Sequence, residues 1–148
     1  MKLFQALKLK NRLVGEVQRL QEILQRENAR RSDSVSTIDR ERMFASLVET
    51  QLKLSNVKSA IAIANVNIYG KINLISEYKS FINFLKSLTI RETQEVLFVG
   101  RDQEKLVYNW DSFITTEKRD EHIVNIQNLI SNLQDEIDNY NAVTDVNI

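Results

Sequence analysis

The stretch that decides the fold runs from residue 123 to residue 140 and reads IVNIQNLISNLQDEIDNY. Its apolar side chains recur at alternating spacings of three and four residues, which keeps them on one stripe of an α-helix. We call this stripe the seam; it comprises Ile123, Ile126, Ile130, Leu133, Ile137 and Tyr140. A stripe this regular predicts a long helix that packs against other long helices. Leu129 broadens the stripe, which favours one wall of a multi-helix bundle over a two-stranded coiled coil.

The composition of the chain permits several such helices. The 148 residues include no proline and only three glycines, so the residue that most strongly breaks helix interiors is absent. The apolar share of 43% and the charged share of 27% are typical of a soluble protein with one core. We therefore expect a single helical domain over residues 1–148.

Three helices are predicted upstream of the seam. Apolar residues at helical spacing predict long helices over residues 2–30 and 39–69, and a shorter helix over residues 74–88. The sequence RSDSVSTI at residues 31–38 predicts a mobile connector, because Ser, Asp and Thr favour turns and caps over helix interiors.

Local signals suggest where these helices begin and end. Ser36 followed by Asp39 resembles a capping box at the start of the second helix. Gly70 is predicted to form the C-terminal cap of the same helix. Gly15, inside the first helix, marks either a close helix crossing or an ordinary exposed position.

A change of pattern before the seam predicts a β-hairpin over residues 94–112. Two short runs rich in β-branched and aromatic residues flank a polar loop that begins at Gly100. Thr115 or Thr116 is then expected to cap the last helix, which runs to about residue 141. The predicted fold class is mainly α: a bundle of long antiparallel coiled-coil-like helices with a small β-hairpin inserted before the last helix.

The charge distribution is uneven although the formal net charge is zero. Residues 1–42 hold ten Lys/Arg and six Asp/Glu, whereas residues 117–148 hold two Lys/Arg and seven Asp/Glu. The first and last segments are therefore expected to attract each other. The densest basic region, around residues 26–42, is diluted by acids and lacks stacking aromatic residues, so nucleic acid is not an expected partner.

The sequence offers no constellation typical of catalysis, a cofactor or a metal. It has no cysteine and one histidine, His122, and its glycines are too isolated for a phosphate-binding loop. We therefore expect a non-enzymatic protein without a cofactor, although an enzyme site assembled between subunits stays an alternative. The candidate interaction surface comprises the six seam residues together with Tyr108 and Trp110.

The expected location is the cytoplasm. Charged and amide residues interrupt the first apolar stretch, unlike a signal peptide, and no run approaches the roughly 18 apolar residues of a spanning helix. The helices are amphipathic without being strongly basic, so a membrane is not an expected partner.

Both ends of the chain resemble a known family. The opening carries Met1-Lys2-Leu3, Ala6-Leu7 and Leu9, and the closing segment at residues 137–146 reads IDNYNAVTDV. These motifs are similar to those of small uncharacterised bacterial helical proteins labelled septicolysin-like. The resemblance implies two long helices, a connector, a third helix, a short extended segment and a final helix. It carries no established activity.

Together these observations predict a helical interaction or assembly protein that forms homo-oligomers through heptad-patterned helices. The alternative is a membrane-active or cytolysin-related protein, which only the family label suggests.

Overall fold

A computed structural model describes residues 1–35 and 37–148 of the chain. Its elements, in chain order, are α1 (Leu3–Glu27), α2 (Arg40–Asn65), α3 (Tyr69–Ser87), β1 (Gln94–Val99), β2 (Glu104–Asn109) and α4 (Thr116–Val143). This order confirms the predicted fold class, which is mainly α with an antiparallel hairpin before the last helix.

The described residues group into two compact units. The first comprises Met1–Tyr69 and Ile137–Ile148, and the second comprises Gly70–Glu136. Helix α4 therefore contributes its last turns to the first unit and its earlier turns to the second. The expectation of one domain over 1–148 remains a prediction.

An antiparallel pair of helices, α1 and α2, forms most of the first unit. Each helix turns one apolar stripe towards the other, and the segment after α4 closes the core. The buried members are Leu3, Ala6, Leu13, Val17, Leu54, Val57, Ile61 and Val146. Burial of these side chains, at about 1.5–3 kcal/mol for each large one, is the main stabilising contribution in this unit.

The junction between α1 and α2 is held by polar contacts. The guanidinium of Arg40 donates hydrogen bonds to the backbone carbonyls of Glu27 (3.3 Å) and Asn28 (3.2 Å), which have no partner inside α1. The Asp39 carboxylate accepts from the backbone N–H of Arg42 (3.0 Å) and is the N-cap of α2. Ser36, the other half of the predicted capping box, lies outside the described residues. The mobility of the connector stays a prediction.

The predicted cap at Gly70 is wrong. Helix α2 ends at Asn65, and Gly70 is the second residue of α3. The chain turns at residues 66–68, where the backbone N–H of Ile68 donates to the carbonyl of Asn65 (3.0 Å) and the Ile68 side chain is buried. Burial of Ile68 therefore accompanies the turn, and no glycine is needed because Val66 keeps a right-handed conformation.

The second unit has its own core, formed by α3 and the earlier turns of α4. Its buried members are Ile82, Leu85, Ile123 and Ile126, with Tyr78, Leu88 and Ile130 packed against them. The hydroxyl of Thr115 accepts from the backbone N–H of Lys118 (3.2 Å), which confirms the predicted cap of the last helix.

The two hairpin strands pair in register from Gln94 opposite Asn109 to Val99 opposite Glu104. The loop between them uses left-handed backbone at Gly100 (φ 82°) and Gln103 (φ 49°). Glycine adopts that conformation without steric cost, whereas glutamine does not. The hairpin predicted over residues 94–112 is thus present, with strands shorter than that range.

Gly15 occupies an open position on α1. A methyl group added there would meet no described atom within 4 Å. The exposed-position alternative is therefore correct, and the close-crossing alternative is wrong.

Candidate interaction surfaces

The seam residues pack against other parts of the same chain. Ile123, Ile126 and Ile137 are buried, and Ile130, Leu133 and Tyr140 are half-buried. Leu129 is 47% exposed, so it does not widen the buried stripe as the sequence suggested. The described contacts therefore assign seam residues to the two cores.

The end of the seam also closes helix α2. The hydroxyl of Tyr140 donates a hydrogen bond of 2.8 Å to the backbone carbonyl of Ala64, in the last turn of α2. Carbonyls in a last helical turn lack partners inside the helix, so this contact satisfies one of them. Tyr140 thus packs against the apolar core of the first unit, and its hydroxyl caps the end of α2.

Tyr108 and Trp110 lie at the hairpin and are exposed. Their exposed fractions are 49% and 44%. The Trp110 indole N–H donates to the Glu95 carboxylate (2.8 Å), and the Arg91 guanidinium lies 4.7 Å from the Trp110 ring centre. The Ser112 hydroxyl accepts from the Arg91 N–H (2.8 Å) and donates to its carbonyl (3.0 Å). These contacts hold the base of the hairpin closed.

Both faces of the hairpin remain open to solvent. The exposed large apolar side chains are Val96, Leu97, Phe98, Val99, Leu106, Val107 and Tyr108, each at least 38% exposed. Side chains alternate between the faces of a strand, so each face carries several of them. An isolated two-stranded hairpin is marginally stable in water, and an apolar face gains stability when it is covered.

Helix α2 carries a second apolar stripe that sequence analysis missed. We call it the outer stripe; its members are Phe44, Val48, Leu52, Ser55, Ser59, Ile63 and Val66. Their spacings of 4, 4, 3, 4, 4 and 3 repeat every 11 residues, which is three helical turns. All seven are exposed, and the five apolar members are 45–76% exposed.

One signal for the outer stripe was present in the sequence. Residues 60–64 read AIAIA and are apolar nearly all round, which indicates a helix covered on more than one side. The sequence alone does not say which of two apolar stripes on one helix faces the core, because that depends on the tertiary contacts. Burial of Leu54, Val57 and Ile61 shows which one packs against α1.

The two ends of the chain meet in the first unit. The Lys2 ammonium lies 2.9 Å from the Asp145 carboxylate and donates to the Val143 carbonyl (2.9 Å). Backbone hydrogen bonds join Leu3 N–H to the Thr144 carbonyl (2.9 Å) and Val146 N–H to the Met1 carbonyl (2.7 Å). This arrangement, the terminal clasp, brings the predicted basic and acidic segments into contact.

The side chains with shifted pKa values belong to surface ion pairs. A hydrogen bond from Lys2 holds the pKa of Asp145 below its ordinary value. A hydrogen bond with Lys53 lowers the pKa of Glu49, and the same contact raises the pKa of Lys53. Each is an exposed pair between opposite charges, and such pairs typically contribute little to stability.

The described residues contain no group of three or more His, Cys, Asp or Glu side chains placed to hold a metal ion. An open groove between the end of α1 and the start of α2 is lined by side chains that include Leu24, Arg26, Phe44 and Leu47. Among the residues that the structure describes, no helix has both the length and the apolar character needed to cross a bilayer.

No protein-family model, curated protein or solved structure matches this chain. The resemblance to septicolysin-like proteins therefore rests on the two end motifs. In the structure these motifs contact each other, because the terminal clasp joins Met1–Leu3 to Thr144–Val146.

Proposed function

We propose that this chain is a non-enzymatic assembly protein of the cytoplasm, and that it associates with further copies of itself through the outer stripe of α2. The single observation that carries the proposal is the pair of apolar stripes on that helix. One stripe packs against α1, whereas the other is exposed. The exposed apolar residues of the outer stripe form two groups, one on each side of Ser55 and Ser59, and exposed apolar patches on a folded chain typically mark interaction sites.

The outer stripe has the length of a helix–helix contact. It spans 23 residues, from Phe44 to the C-cap residue Val66, and the 22 steps between them correspond to roughly 33 Å along a helix axis. Its period of 11 residues in three turns stays close to that of a straight α-helix, so the stripe hardly drifts around α2.

The arrangement of large and small residues makes the stripe complementary to itself. Ser55 and Ser59 lie at its middle, with large apolar side chains towards both ends. Two copies of α2 crossing antiparallel at Ser55, the midpoint of the stripe, would place Phe44 of one copy near Val66 of the other and Val48 near Ile63. Small residues at the crossing let two helices approach closely, so a second copy of this chain is the proposed occupant.

A substitution at Leu52 tests the surface. Leu52 is 62% exposed, so Leu52→Gln leaves the core intact, and leucine and glutamine have similar helix propensities. Loss of a buried leucine from an interface should weaken association by about ten- to a hundredfold. Sedimentation equilibrium at micromolar concentration measures the effect as a lower weight-average mass.

The matched control is Leu129→Gln, at an exposed leucine of α4 outside the outer stripe. We expect it to leave the mass distribution unchanged. Equal masses for wild type and Leu52→Gln would contradict the assignment of this surface.

A further inference from the structure

Strand β1 has the composition of an unprotected sheet edge. Its last four residues, from Val96 to Val99, are all apolar and uncharged. Natural edge strands usually carry charged residues or proline, which block pairing with other chains. Strand β1 carries one charged residue, Glu95, ahead of this apolar run, whereas strand β2 carries two, Glu104 and Lys105.

The backbone of β1 is ready to accept another strand. The Trp110 N–H donates to the Thr93 carbonyl (3.2 Å), so this pair and every second pair after it form the hydrogen bonds of the hairpin. The backbone groups of Gln94, Val96 and Phe98 therefore point away from β2. Within the described residues the sheet has two strands, and these groups lie along its open edge.

We propose that β1 pairs antiparallel with β1 of a second copy, about a two-fold axis at Leu97. The result is a four-stranded sheet in the order β2–β1–β1–β2. The outward backbone groups of Val96 then bond with those of the partner's Phe98, and Leu97 lies opposite the partner's Leu97. This contact is separate from the outer stripe of α2.

A second copy fits this edge by its charges as well as by its backbone. In this register Glu95 lies opposite the partner's Val99, so the two carboxylates are at opposite ends of the pairing, about 14 Å apart along the strand direction. No like charges face each other directly, an arrangement that would be destabilising. The uncharged centre pairs Val96, Leu97 and Phe98 with apolar residues only.

Pairing of the two β1 edges extends the apolar faces of the hairpin. The seven apolar residues of its strands are 38–66% exposed, and their side chains point to the two faces of the sheet rather than along the β1 edge. The edge contact is therefore made by backbone hydrogen bonds and by neighbouring side chains across it, and it joins the apolar faces of two hairpins into one larger surface on each side.

Disulfide cross-linking tests the register directly, because the chain has no native cysteine. In the proposed sheet the Leu97 residues form a non-hydrogen-bonded pair with Cα atoms about 4.5 Å apart, which is within the disulfide range. Under mild oxidation of the full chain, Leu97→Cys should form a covalent dimer on the order of ten times faster than Leu106→Cys, its neighbour on β2. Equal rates for the two variants would overturn the proposal.

Proline substitution gives a second test with a matched control. Val96 and Val107 lie opposite each other, and the N–H of each points away from the hairpin, so proline removes no β1–β2 hydrogen bond. Val96→Pro in the Leu97→Cys background should abolish the rapid cross-link, whereas Val107→Pro should preserve it. Retention of the cross-link with Val96→Pro would overturn the proposal.

The same variants separate this contact from the outer stripe. Val96→Pro should lower the assembly mass but leave the contact through α2 intact. Leu52→Gln should also lower the assembly mass, but it should leave the cross-link of Leu97→Cys unchanged. The double variant Val96→Pro/Leu52→Gln should be a monomer. An unchanged mass with Leu52→Gln, together with rapid cross-linking at Leu97→Cys, would reject the α2 surface and support strand pairing.

Discussion

The Nζ atom of Lys2 lies 2.9 Å from Oδ2 of Asp145, joining residues 143 positions apart. The contact links the segment before α1 to the segment after α4. Around it, backbone hydrogen bonds form an antiparallel bridge between Lys2 and Asp145. The first unit is thus closed by the two ends of the chain, where the sequence carries opposite charge.

Acid should weaken the terminal clasp. The hydrogen bond from Lys2 holds the pKa of Asp145 below its ordinary value, so the pair stabilises the fold above the unfolded pKa. That contribution is lost as pH falls through the lower, folded pKa. Urea unfolding at neutral and acidic pH should show that Asp145→Asn loses less stability on acidification than wild type does.

Asp102→Asn is the control for this prediction, because Asp102 is an exposed residue of the hairpin loop and has no part in the terminal clasp. Its loss of stability on acidification should match that of wild type. The same loss for all three proteins would contradict a role for the Lys2–Asp145 pair.

Removal of one hydroxyl should destabilise the first unit. Tyr140→Phe keeps the ring in the core and deletes the donor to the Ala64 carbonyl. We expect a loss of about 0.5–1.5 kcal/mol, measured by urea unfolding. Tyr69→Phe, at a ring that is 62% exposed, is the matched control and should change the unfolding free energy by less than about 0.5 kcal/mol.

Truncation of core leucines should be costly in either unit. Leu3 and Leu85 are the largest fully buried side chains among the described residues, one in each unit. Leu3→Ala and Leu85→Ala should each cost about 2–5 kcal/mol, the sum of lost burial and the cavity left behind. Thermal unfolding followed by circular dichroism tests this, with the exposed Leu129→Ala as control. A Leu129→Ala loss as large as the other two would contradict the assigned burial.

Two glycines should respond to alanine in opposite directions. Gly15→Ala places a methyl group in open space on α1 and should stabilise the chain by up to about 1 kcal/mol. Gly100→Ala puts a side chain on backbone with φ 82° and should weaken the hairpin. Backbone amide exchange of Leu97 and Leu106, a hydrogen-bonded pair of the hairpin, compared with that of α1, separates the local effect from a global one.

Periodicity predicted the helices well because burial follows it closely. Ile123, Ile126 and Ile137 are buried as their spacing required, and Thr115 caps α4 as its side chain permits. The break between the second and third helices was predicted at Gly70 but lies at residues 66–68, because the apolar pattern continues through Ile68 and that side chain is buried. Gly70 was the local signal for a helix end, but in the structure it lies inside α3 and the turn precedes it.

Which residues of the candidate interaction surface are exposed was harder to predict from the sequence. Tyr108 and Trp110 are exposed as an interaction surface requires, whereas the described contacts of the seam lie within the chain. Leu52 and Leu54 have the same residue type, yet one is exposed and the other buried. The difference in burial arises from the side of α2 on which α1 packs, so the outer stripe can be recognised only from the packed helices.

The mass of the protein in solution tests the central claim most directly. Sedimentation equilibrium of the full chain at micromolar concentration should give at least twice the 17.2 kDa of one chain. Dilution should shift the mass towards the single chain, as expected for reversible association. A constant mass of 17.2 kDa up to tens of micromolar would contradict assembly through either the outer stripe or β1.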